Sequence, residues 1–520
     1  MKVLLVTGTL AEETVKRYAK ESKIQTEVFV ISVPVAAFLT PETIIHALAN
    51  TKLKNGDTVL VPGLVRGDTA TISNAVGVPA FKGPRYAADL PTVLDLMGTV
   101  KLSTVTPACD LLREELQQKA LQELSKVEEN RGKLLKNPHN MLIKELPVGK
   151  DFPMRVLAEI VDAALMPNEE IQRLAKYYVQ LGADLIDVGM VAGESRPADA
   201  KRIVKAVKEV VNVPVSIDTL SPEEIKAAVS AGADLILSAD AGNIEQIAPY
   251  AKNVAVVAIP TNQREGYFPK GVKERVEFLE EVIAKAKKLG FTKILGDLIL
   301  EPSNILESFI AFREFEKRNP DVPLFVGVSN VTELIDADSV GVNALLARLS
   351  SEVNASVLLA TEKSDKAKGT VTEEVTAAKM MFLAKRRCSV PKDLGINLLV
   401  LKDKRNREEP YNQKLEENVR VIVGAENSEP AVLDAKGSFR IFVDRVGEAI
   451  VAMHCPSSVM DQPTDIIKGK TAEGVYAKIV EMGLVSRIDH AGYLGTELSK
   501  AEIALRTGKE YIQDRGLFTK

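Results

Sequence analysis

The chain is poor in cysteine, in net charge and in long apolar runs, and each shortage excludes a class of protein. Its three cysteines, Cys109, Cys388 and Cys455, are spread over 520 residues, too far apart for a metal motif. They fit a reducing compartment, so a cytoplasmic protein with no metal centre is expected. A net charge of −4 and a pI near 5.9 leave no electrostatic footprint for nucleic acid. No apolar stretch approaches a membrane span. The N-terminal MKVLLVTGTLAEE has a short apolar run followed by acids, the pattern of a first strand rather than a signal peptide. G-x-G-x-x-G and P-loop patterns are absent, so no dinucleotide site is expected. With 46% hydrophobic and 27% charged residues the composition is that of a soluble globular protein, long enough for about two to four domains.

The grammar of the chain changes three times. Residues 1–107 alternate short apolar runs (KVLLVTG, TEVFVIS, TVLVPG) with helical segments, one of them with Thr40 as cap and Pro41 in its first turn, which predicts an open α/β domain. Residues 108–149 predict a helical connector. Residues 150–390 hold eight apolar runs, at 156–163, 184–189, 213–218, 234–239, 254–259, 293–300, 323–329 and 356–361, separated by amphipathic helices. That count and length predict a (β/α)8 barrel; a doubly wound open sheet is the alternative, less suited to eight units. Residues 391–520 predict a small mixed α/β domain, with a hairpin turning at Arg445 to Glu448.

Polar residues at the ends of buried parallel strands need a reason, because burying an unpaired polar group is costly, and in a barrel those ends face the ligand. Asp218 ends the run SID, while the following helix has its own start signal in Ser221, Pro222 and Glu224, so Asp218 is not needed as a cap. Asp297 lies inside LGDLIL, flanked by apolar residues, and Asn330 ends the seventh run. A carboxylate in such a place suits a flat heterocycle with side-by-side N–H donors, as a pterin has; a structural hydrogen bond to a neighbouring loop is the plainer alternative. Glu194 and Arg196 lie on the loop after the second strand, where Arg196 could meet an anion or an aromatic amine or simply face solvent. Arg66, Lys82 and Arg85 sit beside glycines in VPGLVRGD and FKGPR, a cluster that could hold a phosphate or mark ordinary turns. His490, beside the expected cap Asp489, lacks partner ligands for a metal, and Gly492 and Gly495 read as close helix packing.

The segments DVG…GESRP, VPVSIDT, GDLILEP and VPLFVGVSN, in this order, resemble the pterin-binding superfamily of dihydropteroate synthases and methyltetrahydrofolate:corrinoid methyltransferases over roughly 155–360. With both flanking domains, the whole chain resembles archaeal dihydropteroate synthase-related proteins. The resemblance implies that Asp218 and Asp297 are the two pterin-pocket aspartates and that Arg196 and Pro197 lie near an arylamine. It implies a transferase joining a reduced pterin to an arylamine in folate- or tetrahydromethanopterin-type biosynthesis, with Mg2+ only if diphosphate chemistry is retained. Departures matter: the synthase loop after strand one is missing, and Ser329-Asn330-Val331 stands where the synthases have S-R-K. In strand four ILSADAGN offers Ser238, Asp240 and Asn243 in place of the expected Asn. Asp297–Pro302, Ser329-Asn330-Val331 and Asn343 are closer to the methyltransferase branch, in which Asn330 would assist a one-carbon group leaving pterin N5 for a methyl acceptor on a corrinoid protein. A non-catalytic pterin-binding scaffold is the third reading. The expected partners are thus small molecules, with room for a homo-oligomer and none for nucleic acid or membrane.

Overall fold

The computed structural model describes residues 2–392, 394–402, 416–417, 419–424, 432–457 and 462–518. The chain forms two compact units, residues 1–335 with 340–361 and 370–410, and residues 336–339 with 362–369 and 411–520.

The first unit begins with an open parallel sheet of β1 (Val3–Gly8), β2 (Thr26–Ile31), β3 (Thr58–Val61) and β4 (Ala80–Lys82) in the order β2-β1-β3-β4. β1 and β3 are buried along their whole length, as unbroken apolar runs in a parallel sheet should be. The helix Pro41–Leu48 starts where the sequence predicts, with the Thr40 hydroxyl accepting from the Thr43 amide at 3.3 Å.

The segment read as a purely helical connector contains more. After the helix Ala108–Glu129 come β5 (Asn140–Ile143) and β6 (Leu146–Gly149), an antiparallel hairpin turning at Lys144, whose φ is +52°. Its strands are too short to show a period in sequence. Ile143 and Val148 pack into the same apolar cluster as the inward-facing residues of the barrel, so the hairpin plugs the interior.

The barrel strands are β7 (Arg155–Ile160), β8 (Leu185–Gly189), β9 (Val215–Asp218), β10 (Leu235–Ala239), β11 (Ala255–Ala258), β12 (Ile294–Gly296), β13 (Leu324–Val326) and β14 (Ala355–Thr361). Each is parallel to the next, and β14 pairs with β7, so the sheet is closed and the open-sheet alternative is excluded. Side chains alternate along each strand. Val156, Ala158, Ile160, Ile186 and Val188 pack outward under the helices, whereas Leu157, Leu185, Leu235, Leu295, Phe325 and Val357 fill the interior. Two strands stop earlier than their apolar runs suggest. β12 ends at Gly296 because the chain turns through Ile299 at φ +63°, which puts Asp297 just past the strand instead of inside it. β13 ends at Val326, and Asn330 lies in the short helix Ser329–Thr332 rather than at a strand end.

The second unit holds the predicted hairpin, β15 (Ser438–Asp444) with β16 (Ala449–Cys455), and β17 (Asp465–Gly469) completes its sheet. The helices Ala472–Glu481 and Ile488–Thr507 pack on it through Val475, Ile479, Leu494 and Leu498. Buried Asp434 gathers the amides of Lys436, Ser486 and Arg487, the Ser486 hydroxyl and His490 Nδ1 at 3.0 Å. Burial pushes its pKa up, but these hydrogen bonds outweigh it and hold Asp434 well below the usual carboxylate range. His490 is therefore a structural partner of Asp434. The cap position is Arg487, not Asp489, and Gly492 and Gly495 face open space rather than a packed helix.

In the last barrel helix, Thr370–Arg386, Glu374 is fully buried and neither carboxyl oxygen has a partner among the described residues. Burial and then the Glu373 charge raise its pKa well above the ordinary value. A carboxyl whose folded pKa exceeds its unfolded one stabilises the fold most at low pH and loses that contribution as pH rises. Glu374→Met is expected to raise Tm, and to raise it more at pH 8 than at pH 5. Thermal melts at the two pH values check this, and a lower Tm at pH 8 would show that the carboxylate is held by a partner.

Candidate active site at the barrel mouth

The inward positions of three neighbouring strands end in acids: Leu157 is followed by Glu159 on β7, Leu185 by Asp187 on β8, and Ser216 by Asp218 on β9. One oxygen of each acid lies within 4.8 Å of the others. Asp187 is fully buried; its Oδ1 accepts from the Ser216 hydroxyl, and its Oδ2 has no partner among the described residues. Glu159 Oε2 accepts from the Thr361 hydroxyl at 2.8 Å. Gly189 leaves room for Glu159, since a Cβ there would lie 2.9 Å from its Oε1. The Asp218 carboxyl has no hydrogen-bond partner among the described residues.

Three carboxylates this close cannot all stay ionised without help. Burial, then the charges of Asp218 and Glu159, drive the pKa of Asp187 well upward. Burial and the Glu159 charge bring Asp218 to about 7. The cluster must therefore be met by protons, by a ligand's N–H donors or by a cation, and three carboxylates with one buried orphan oxygen are a donor set that fits a divalent cation.

Asp297 stands apart from this cluster, on the loop after β12. Its Oδ1 accepts from the Ile299 amide at 2.7 Å. Burial outweighs that hydrogen bond and the more distant Arg275 charge, so its pKa also rises to about 7. The loop that carries it is pinned from behind. Arg275, only 1% exposed, donates to the carbonyls of Leu298 and Ile299 at 3.3 and 3.2 Å and pairs with Glu301. Asn330 reaches the same loop, its Nδ2 donating to the Leu300 carbonyl at 3.2 Å and its Oδ1 making no hydrogen bond among the described residues.

Other residues singled out in the sequence are placed differently. Asp240 spends its carboxylate on the amides of Gly242, Asn243 and Gln263 and on the Thr261 hydroxyl. Asn243 accepts from the Asp240 amide and donates to the carbonyls of Leu220 and Ser238. Both hold a loop, and the Ser238 carbonyl serves the same net. Asn343 is fully buried between Thr332, Thr370 and Glu373. Arg196 pairs with Glu194 at 2.6 Å on the exposed loop, where its amide donates to Glu224. Arg66 is exposed, Lys82 is buried in β4, and Arg85 pairs with Asp110.

Glu159, Asp187 and Arg275 escaped the sequence reading. The signal for the first two was a single acid at an inward position of an apolar run, in LAEI and LIDVG. For Arg275 it was a charge in line with Leu279, Val282 and Ala286 on the buried face of a helix.

The family model described as "Pterin binding enzyme" matches residues 162–362. A "Family of unknown function (DUF6513)" matches 1–85, and PterinBD-DUF4346 matches 433–514. The chain is 43% identical to "Uncharacterized protein MJ0107" of Methanocaldococcus jannaschii over 536 aligned positions, 100% of this chain and 99% of that one. It is 31% identical to a "Ycf91-like protein" of a Nostoc species over 106 residues, 16% of this chain and 84% of that one. Among solved structures, dihydropteroate synthase of Yersinia pestis is 18% identical at a TM-score of 0.38, covering 49% of this chain and 100% of that one. The Xanthomonas albilineans dihydropteroate synthase in complex with 7,8-dihydropteroate is 19% identical at 0.39, over 48% and 99%. The chain therefore belongs to the same family as the M. jannaschii protein, and its barrel is of the pterin-binding type.

Proposed function

We propose that the barrel mouth binds a reduced pterin and joins it to an arylamine, a dihydropteroate synthase-like step in folate- or tetrahydromethanopterin-type cofactor biosynthesis. The observation that carries this reading is the pair Asp218 and Asp297, two largely desolvated carboxyls with no ion-pair partner among the described residues. A pterin presents N3–H and its 2-amino group side by side, and an ionised carboxylate accepts both. In the condensation the arylamine nitrogen bonds to the exocyclic methylene carbon of the pterin while the bond from that carbon to diphosphate oxygen breaks. The amine gives up a proton, which a carboxylate with a pKa near neutrality can take. A divalent cation beside Glu159 and Asp187, with Asp218 left to the pterin, would neutralise the departing diphosphate. Asn330 supports a second reading, methyl transfer from pterin N5: with Nδ2 spent on Leu300, its Oδ1 remains as an acceptor for a proton at N5.

Calorimetric titration with 6-hydroxymethyl-7,8-dihydropterin and with a methyl-tetrahydropterin tests the pocket. Asp297→Asn is expected to weaken the preferred ligand by about 1.5–3 kcal/mol, the usual cost of losing a charged hydrogen-bond partner. Absence of binding by well-folded wild-type protein would sink the pterin reading.

The same titration against pH has a definite sign. Asp218 and Asp297 are mostly neutral below pH 7 and accept both donors only when ionised, so affinity should climb from pH 6 to 8. In the ligand-free protein both pKa values lie above the unfolded value of about 3.9. Their neutral forms therefore stabilise the fold fully below pH 4, and this contribution is lost as pH rises through 7. Affinity that is flat across the range would show that neither carboxyl meets the ligand's donors.

Turnover separates the chemistries. The condensation predicts Mg2+-dependent diphosphate release with an arylamine. Methyl transfer predicts none, and loss of a methyl group only when an acceptor is supplied. Tight pterin binding with neither outcome would leave a non-catalytic scaffold.

A further inference from the structure

One cavity among the described residues lies away from the barrel mouth. It lies in the N-terminal sheet and measures about 440 Å³, within the range of small-molecule sites. Its position follows from the strand order. The chain leaves β1 for β2 on one side and returns to β3 on the other, so strand order reverses between β1 and β3. In open α/β sheets that reversal opens a crevice beyond the C-terminal strand ends.

Hydrogen bonds tie the loops away from the crevice on both sides. β1 pairs with β2 as far as Gly8–Ile31, but with β3 only as far as Leu5–Leu60. Beyond that point the loop after β1 bonds to the loop after β2, Thr9 N to Val33 O at 3.0 Å and Leu10 N to Pro34 O at 3.2 Å. The loop after β3 bonds to the loop after β4, Gly63 N to Pro84 O at 3.0 Å and Gly83 N to Val61 O at 2.7 Å. These approaches require glycine: a Cβ on Gly8 would lie 2.5 Å from Val33 O, and one on Gly63 2.6 Å from Gly83 O.

The lining indicates a ligand class. Leu5, Val6, Val15, Leu60, Val61 and Leu90 make the walls apolar. Thr7 also lines the cavity and is 1% exposed, with no side-chain hydrogen bond among the described residues, so a buried hydroxyl is left for an occupant. Two arginines line the cavity. Arg85 is engaged by Asp110. Arg17 forms no ion pair among the described residues and lies over the Tyr18 ring at 4.6 Å. One uncommitted cation suits one acid group, and the apolar walls suit a compact ring.

We propose that this crevice is a second ligand site, separate from the barrel mouth, for a small acid with an apolar ring, the ring lying between β1 and β3 and the acid group meeting Arg17. The test uses two fluorescent probes with the same ring system. One, 8-anilinonaphthalene-1-sulfonate, carries an acid; the other, N-phenyl-1-naphthylamine, does not. The full-length protein should bind the sulfonate saturably at one site. Arg17→Glu should weaken it about tenfold and leave the uncharged probe unchanged, as expected for reversing one partly exposed charge. Thr14→Trp and Ala37→Trp each put a large side chain at a lining position of the crevice, and either variant that melts cooperatively should bind neither probe. Saturable binding that survives crevice filling, or no saturable binding by wild type, would overturn the site. Equal sulfonate affinity in Arg17→Glu would overturn the assignment to acids.

Discussion

Closure of the barrel through β14 and β7 is the constraint on which the rest of the first unit depends. Once the sheet is closed, every second side chain must point into a space that water hardly reaches. The strands fill that space with leucine, valine and phenylalanine at one end and the plug of Ile143 and Val148. The same alternation then brings Glu159, Asp187 and Asp218 together at the other end. Their raised pKa values are the electrostatic result of that geometry: a low dielectric and neighbours of like charge.

A simple distinction separates polar residues that hold the scaffold from those left for a ligand. Asp240, Asn243, Asn343 and Asp434 are buried and surrounded by partners, with most of their polar atoms spent on backbone or neighbouring side chains. Among the described residues the Asp218 carboxyl has no hydrogen-bond partner, and the Asp297 carboxyl has only the Ile299 amide. Arg275 joins the two groups. Its guanidinium donates to two carbonyls of the loop after β12 and pairs with Glu301, and so fixes where Asp297 can be. The N-terminal crevice repeats the pattern, since the loops around it are tied to each other while Thr7 and Arg17 are not.

The features of the fold most legible in the sequence were those with a long period or a local signal. Eight apolar runs separated by amphipathic helices specified the barrel, and Thr40 and Ser221 marked the starts of their helices. Short elements were not legible: the four-residue strands β5 and β6 carry no period, and the early ends of β12 and β13 depend on a turn through Ile299 and a single helical turn at Ser329–Thr332. Of the candidate site, Asp218, Asp297 and Asn330 could be singled out because each is a polar residue inside or at the end of an apolar run. Glu159 and Asp187 could not be separated from structural acids, since their meaning lies in being within 4.8 Å of Asp218 across two strand pairings.

The sequence by itself determined the strand–helix alternation, the inward period of the acids and the absence of membrane-length apolar runs, because these are set by neighbours in the chain. Only the tertiary structure decided which polar groups were already satisfied. Whether Asp240 holds a loop or faces a ligand depends on Thr261 and Gln263, more than twenty residues away in the chain. The crevice between β1 and β3 likewise exists because strand order reverses there, a property of the folded sheet and not of either strand.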